Sequence, residues 1–221
     1  MNNVIKKVKY GLPFILITDI VVFICGLITS GVSLYIAIMS YMGRTPYLRD
    51  LVLLMSIANI FAFVVLVFKI VGAAIIRKAN THFESILFLV IMEVFINIVA
   101  VIINKLGPDY YAYASSVISG LISIINYVII YKMLAGTKEI LKSMGRDNLY
   151  EFGNKLSILM FLVAFVVIVN NIILLVRLQA TVTLFRLVIY VIVCVVSFTF
   201  ILVYLIYLGL TCIEFNKDHN D

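Results

Sequence analysis

One acidic residue lies in the middle of a long apolar stretch. Glu93 is flanked by Leu, Ile, Val and Phe residues, and Asn97 follows it by four positions. A helix would place Asn97 one turn further along the same face, where it could share hydrogen bonds with Glu93. A charge at the centre of a membrane helix costs about 2.5–3.5 kcal/mol, and such residues are usually functional. Two interpretations stay open: a polar contact that specifies helix packing, and a transport or proton-relay site.

Lys69 is the candidate counter-charge for Glu93, towards the end of the preceding apolar stretch. Its long side chain could reach inward to Glu93 or extend out to the lipid headgroups. We favour the headgroups. Asp19 lies close to the lysine-rich start of the chain, and we expect it at the membrane interface. Glu93, Asn97 and Lys69 form the candidate intramembrane polar site.

The polar connector between the fourth and fifth apolar stretches carries a second candidate site. Gly145 is a helix-stop signal, and Asp147 can cap the helix that follows. A short helical hairpin would therefore project from the membrane. One interpretation is a solvated connector whose charge sets the topology, and the other is a docking site for a partner protein or an acidic lipid. The basic residues of this candidate cytoplasmic docking surface are Lys138, Lys142, Arg146 and Lys155.

The sequence lacks the residue sets that known membrane hydrolases and metalloenzymes need. Its only histidines, His82 and His219, lie outside the apolar stretches, where neither can activate a membrane-embedded serine. GxSxG, HExxH, Walker A and GxGxxG motifs do not occur. The three cysteines are isolated from one another and form no metal-binding or disulfide pattern. We therefore expect no enzymatic activity, no cofactor and no metal site.

The composition predicts what surrounds the chain. Of its 221 residues, 64% are hydrophobic and 13% charged, whereas soluble domains are about 45–50% apolar and about 25% charged. A bilayer core offers the backbone no water, so only helices or closed barrels can cross it. The apolar runs are continuous and do not alternate with polar residues, which predicts helices. The expected fold class is an all-α, polytopic membrane helical bundle.

Six transmembrane spans can be read from these apolar runs. They form a single domain, 1–221. A glycine near the end of every second span is followed four residues later by isoleucine, at Gly72, Gly136 and Gly209. This spacing also fits three repeated helical hairpins. The spans cover about 12–41, 51–72, 86–103, 113–134, 156–176 and 184–211.

The loop charges predict the orientation of the bundle. Most of the 17 Lys and Arg residues fall on the cytoplasmic side if the N-terminus is inside. We therefore expect both termini in the cytoplasm (N-in, C-in), in the cytoplasmic membrane of a prokaryote. The net charge of +6 comes without basic clusters interleaved with aromatic residues, so nucleic acid is not an expected partner. The expected partners are the lipid bilayer and either other membrane proteins or further copies of the chain.

Two functions fit these features. A non-catalytic accessory, assembly or regulatory component that binds other membrane proteins fits the missing catalytic sets and the basic connector. A small ion or solute transporter or channel would use Glu93 and Asn97. Transporters often interrupt their helices near the midplane, and the only proline within a predicted span is Pro13, at its entry. The sequence therefore favours the accessory role.

Overall fold

The computed structural model describes residues 2–44, 48–103, 108–176 and 184–217. Within these ranges the chain forms long α-helices and no strand, and each helix contains a segment long and apolar enough to cross a membrane. This confirms the predicted all-α, six-span class. The helices are α1 (Asn2–Tyr41), α2 (Leu48–Ile76), α3 (Thr81–Ile103), α4 (Pro108–Ser143), α5 (Asp147–Val176) and α6 (Leu184–Lys217).

The helices are longer than the predicted spans, mainly at one end of the bundle. Helix α1 begins about ten residues before the predicted span, α4 continues beyond residue 134, and α5 begins before residue 156. At about 1.5 Å per residue, the 40 residues of α1 extend about 60 Å, roughly twice the hydrocarbon thickness. Apolar residues mark the hydrocarbon region only. The backbone stays helical beyond the predicted apolar spans.

The six helices follow one another around a closed ring. Each packs against its neighbours in the chain, and α6 packs against α1. Short connections make consecutive helices antiparallel. The α2–α3 and α4–α5 connections therefore lie at the same end as the start of α1 and the end of α6. We call this the inner end, because the predicted orientation places it in the cytoplasm, and the opposite end the outer end.

Side chains pack more tightly at the inner end than at the outer end. The buried residues of α3 extend from Phe83 to Glu93 and stop there. Those of α5 lie within 153–163, and those of α6 lie within 200–215. Among the residues whose burial is described, the outer parts of these three helices contribute no buried side chain. The bundle is therefore closed at its inner end and more open at its outer end.

Glycines permit two of the close contacts in the packed inner half. A Cβ on Gly11 would lie 2.8 Å from the carbonyl oxygen of Gly72, so α1 and α2 cross where neither helix carries a side chain. A Cβ on Gly136 of α4 would lie 2.7 Å from Cζ of Phe83 on α3. Gly209 has open space around it. The third glycine of the predicted hairpin repeat therefore has no such packing role, and the repeat itself stays a prediction.

The α4–α5 connection follows its sequence signals. Gly145 has a φ of 71°, in the left-handed region that favours glycine. The backbone N–H of Arg146 donates to the carbonyl oxygen of Leu141 at 2.9 Å, which closes the last turn of α4. Helix α5 then begins at Asp147, and the backbone N–H of Tyr150 donates to the carbonyl oxygen of Arg146 at 3.1 Å. Arg146 therefore holds the cap position that the sequence assigned to Asp147. The predicted stop at Gly145 is confirmed.

Asn80 joins the α2–α3 connection to α4, which the sequence did not predict. Its Oδ1 accepts a hydrogen bond from the backbone N–H of Phe83 at 3.1 Å, as an N-cap residue does. Its Nδ2 donates to the carbonyl oxygen of Gly136 at 3.1 Å and to Oε2 of Glu139 at 3.0 Å. The first two hairpins are therefore tied together at the inner end.

Candidate functional site

Three charged residues from neighbouring helices converge inside the bundle. Asp19 is on α1, Lys69 on α2 and Glu93 on α3. Side chains on a helix lean towards its N-terminus. Helices α1 and α3 begin at the inner end and α2 begins at the outer end. Lys69 therefore leans outward, while Asp19 and Glu93 lean inward towards it.

Lys69 forms a buried ion pair with Asp19. Its Nζ lies 2.9 Å from Oδ1 of Asp19, and the two side chains are 6% and 11% exposed. The sequence-based preference for a Lys69 that reaches the headgroups is wrong, because α2 directs the side chain away from the nearer membrane surface. Asp19, which we expected at the membrane interface, has a side chain that is 11% exposed and paired with Lys69. Its depth in the membrane stays a prediction.

Glu93 is buried, and one of its oxygens has no partner. The residue is 4% exposed, and among the described residues nothing forms a hydrogen bond with its Oε2. Lys69 interacts electrostatically with Glu93 as well as with Asp19, but it contacts Asp19 directly. The lysine therefore neutralises one carboxylate at contact distance and the other only at longer range.

Glu93 lines a cavity of about 670 Å³ that is formed mainly by α2, α3 and α4, with Val22 of α1. The cavity extends outward from Glu93, the last buried residue of α3, to Ile103 near the outer end of that helix. Much of the lining is apolar and includes Phe63 and Leu66. The polar part of the lining consists of Asn59, Glu93, Asn97, Ser119, Ser123 and Asn126.

Asn97 shares this cavity with Glu93 but does not contact the carboxylate. Its Nδ2 donates to the backbone carbonyl oxygen of Glu93 at 2.8 Å. Short polar side chains within helices often bond to the carbonyl one turn back, which the sequence reasoning overlooked. The sequence-based prediction also missed the polar residues of α4. These residues could have been found from the sequence, because Ser119, Ser123 and Asn126 recur at helical spacing on one face.

The candidate docking surface lies at the inner end, apart from the cavity. Lys155, one of its four basic residues, is exposed. The other three have partners within the chain, of which only the partner of Arg146 carries an opposite charge. Lys138 Nζ donates to Asn154 Oδ1 at 2.9 Å and Ser157 Oγ at 3.1 Å, Lys142 Nζ lies 5.5 Å from the ring centroid of Tyr150, and Arg146 Nε lies 2.9 Å from Glu214 Oε1.

The described part of the chain contains no group of three His, Cys, Asp or Glu side chains that could hold a metal ion. No known protein family, curated protein or solved structure matches this chain. The cavity and the charged residues beside it are therefore the features of this chain that indicate a function.

Proposed function

We propose that this chain is a small transport protein that binds a solute at Glu93, inside the cavity among α2, α3 and α4. The observation that carries the proposal is the buried, unpartnered Oε2 of Glu93 on the wall of that cavity. Leaving a buried acceptor without a partner costs about 1–3 kcal/mol, and more for a charged group. A bound solute that donates to this oxygen offsets that cost.

The unequal packing of the two ends supports transport. Alternating access requires a site that one side of the membrane can reach while the other side is closed. Here the cavity extends from Glu93 towards the outer end, while packed side chains fill the inner half. Such an arrangement is expected of a carrier that is open to one side.

The Asp19–Lys69 pair has the position expected of an inner gate. Lys69 lies about 10 Å from the inner end of α2, and Glu93 lies about 18 Å from the inner end of α3. The backbone of Lys69 is therefore closer to the inner end than the backbone of Glu93. A solute moving inward from Glu93 would meet two charged groups that can exchange partners.

The accessory role, which the sequence favours, receives less support from the structure. Its main argument was the basic connector, and three of its four basic residues already have partners within the chain. The objection to transport was the lack of helix breaks near the midplane. The cavity supplies carboxylate, amide and hydroxyl groups at that depth without a break.

Uptake by reconstituted vesicles tests the proposal. Vesicles containing the purified protein are offered radiolabelled guanidinium, glycerol and lactate, which represent cationic, neutral and anionic solutes. We expect faster uptake of at least one solute than in protein-free vesicles, and loss of that uptake in Glu93→Gln. The matched control is Glu84→Gln, an exposed position in the first turn of the same helix, which should behave as wild type.

The proposal fails if none of the three solutes enters faster than in protein-free vesicles. It also fails if Glu93→Gln transports as well as the wild type. The accessory role would be favoured if either of these two results is obtained and the chain also purifies in stable association with another membrane protein.

A further inference from the structure

We infer that the solute is a small organic ammonium ion whose N–H groups bind Glu93 and the neighbouring acceptors of the cavity. This inference rests on the proposed solute site at Glu93 and adds the chemical class of the solute. Three features of the cavity lead to it: its charge, the direction of its hydrogen bonds, and its size with its apolar lining.

The charges around the cavity favour a cation. Asp19 and Glu93 contribute two carboxylates, and Lys69 contributes one ammonium group, which contacts Asp19 at 2.9 Å. When all three groups are ionised, Glu93 carries the charge that is not balanced at contact distance. Burying such a charge is unfavourable unless it is paired. A monocation at Glu93 makes the cluster neutral, whereas an anion increases the imbalance.

The hydrogen bonds of the wall leave acceptors for a ligand. Asn97 uses its Nδ2 to donate to the backbone of Glu93 at 2.8 Å, so its Oδ1 can accept. The hydroxyl of Ser123 donates to the carbonyl oxygen of Ser119 at 2.8 Å, so its lone pairs can accept. An ionised carboxylate only accepts, and an ammonium group only donates. The donor pattern of a primary ammonium ion therefore complements this wall.

The size and lining of the cavity favour an organic ion over a metal ion or a proton. A volume of about 670 Å³ falls within the range of small-molecule sites, roughly 300–1,000 Å³. Metal ions such as Ca²⁺ are enclosed by about six to eight oxygen ligands at about 2.3–2.6 Å, whereas a cavity of about 670 Å³ is much larger than such a coordination shell. Phe63 and Leu66 provide apolar surface for a hydrocarbon body. A bare ion or a proton would use none of this surface.

Equilibrium binding to the purified protein in mild detergent tests the inference. The probe is radiolabelled 2-phenylethylammonium, which combines three N–H donors with an apolar body. Three competitors remove one property each: phenethyltrimethylammonium lacks N–H donors, 2-phenylethanol lacks charge, and 3-phenylpropionate reverses the charge. We expect each competitor to bind at least about tenfold more weakly than the probe.

Variants locate the probe in the cavity. Glu93→Gln should weaken binding of 2-phenylethylammonium at least about tenfold, and Glu84→Gln should leave it unchanged. Ser123→Ala removes one acceptor while leaving the charges in place, and should weaken binding about threefold. This milder variant keeps the test decisive if Glu93→Gln does not fold, which size-exclusion chromatography will reveal.

The outcomes separate this inference from the proposed function. The inference is overturned if the quaternary, neutral or anionic competitor binds as tightly as 2-phenylethylammonium. It is also overturned if millimolar Na⁺ or Mg²⁺ displaces the probe. Failure of 2-phenylethylammonium to bind also overturns it. If glycerol or lactate then enters vesicles in a Glu93-dependent way, the transport proposal stands with a different solute. If 2-phenylethylammonium binds at Glu93 but neither it nor the three solutes enter vesicles faster than in the absence of protein, the ligand class stands and transport fails.

Discussion

Replacing Lys69 with methionine should destabilise the bundle more than any other single change at the charged cluster. Methionine keeps much of the length of the lysine side chain but removes the ammonium group. Asp19 and Glu93 would then be two carboxylates inside the bundle without a counter-charge, at positions that are 11% and 4% exposed. Removing one partner of a buried ion pair costs about 3–5 kcal/mol.

Asp19→Asn should be milder than Lys69→Met. The ammonium group of Lys69 loses its contact partner, but it retains its electrostatic interaction with Glu93. We expect a loss of about 1–3 kcal/mol. The double variant, Asp19→Asn with Lys69→Met, removes both members of the pair. Because replacing a whole buried pair is often nearly neutral, it should recover about 2 kcal/mol relative to Lys69→Met.

Unfolding by SDS in mixed micelles, followed by helical circular dichroism, measures these free energies. The matched control is Lys78→Met, at an exposed position in the α2–α3 connection. It should change the free energy of unfolding by less than about 0.5 kcal/mol. A Lys69→Met protein as stable as this control would refute the buried pair and would restore the headgroup position that the sequence favoured. A double variant no more stable than Lys69→Met would refute the coupling between the two charges.

Three further predictions concern packing, a buried hydrogen bond and orientation. Gly136→Ala should cost about 1–3 kcal/mol, because its Cβ would meet the ring of Phe83. Gly120→Ala, which has open space around it, should be neutral or stabilising by up to about 1 kcal/mol in the same SDS titration. Thr137→Val and Tyr207→Phe each break the buried hydrogen bond at 2.9 Å between the two hydroxyl groups. Each should cost about 1–2 kcal/mol, and a double-mutant cycle that shows no coupling would contradict the contact. Fluorescent and enzymatic reporters fused to either end should both report the cytoplasm, and opposite compartments would disprove the predicted orientation.

The fold class could be predicted because lipid imposes few solutions on a chain this apolar. Continuous apolar runs of about 20 residues leave the backbone no alternative to helices in a bilayer. The ends of the helices could not be predicted in the same way. The part of α4 beyond residue 134 is polar enough to leave the hydrocarbon, but nothing there breaks a helix before Gly145. Hydropathy indicates whether a residue lies in hydrocarbon or in water. Backbone hydrogen bonding determines where its helix ends.

The candidate site could be predicted in part. Glu93 and Asn97 stood out because a polar residue in an apolar run is costly wherever the helices go. The pairing of Lys69 with Asp19 depends on which helices are neighbours and which way each side chain leans, and a linear pattern does not contain this information. The same is true of Asn80, whose bonds to α4 join parts of the chain that are distant in sequence. The residue types alone showed that burying these charged groups is unfavourable. Which groups pair with one another depends on the order of the helices in the ring.

The contact between α1 and α6 has a consequence for how the protein is made. The rings of Phe23 on α1 and Phe198 on α6 meet edge to face, with centroids 5.7 Å apart. Of these six helices, α1 leaves the ribosome first and α6 last, so this face of α1 has no α6 to pack against until the other five helices have been synthesised. Assembly therefore finishes with a long-range step rather than a local one. Without α6, the ring of helices would be open between α5 and α1.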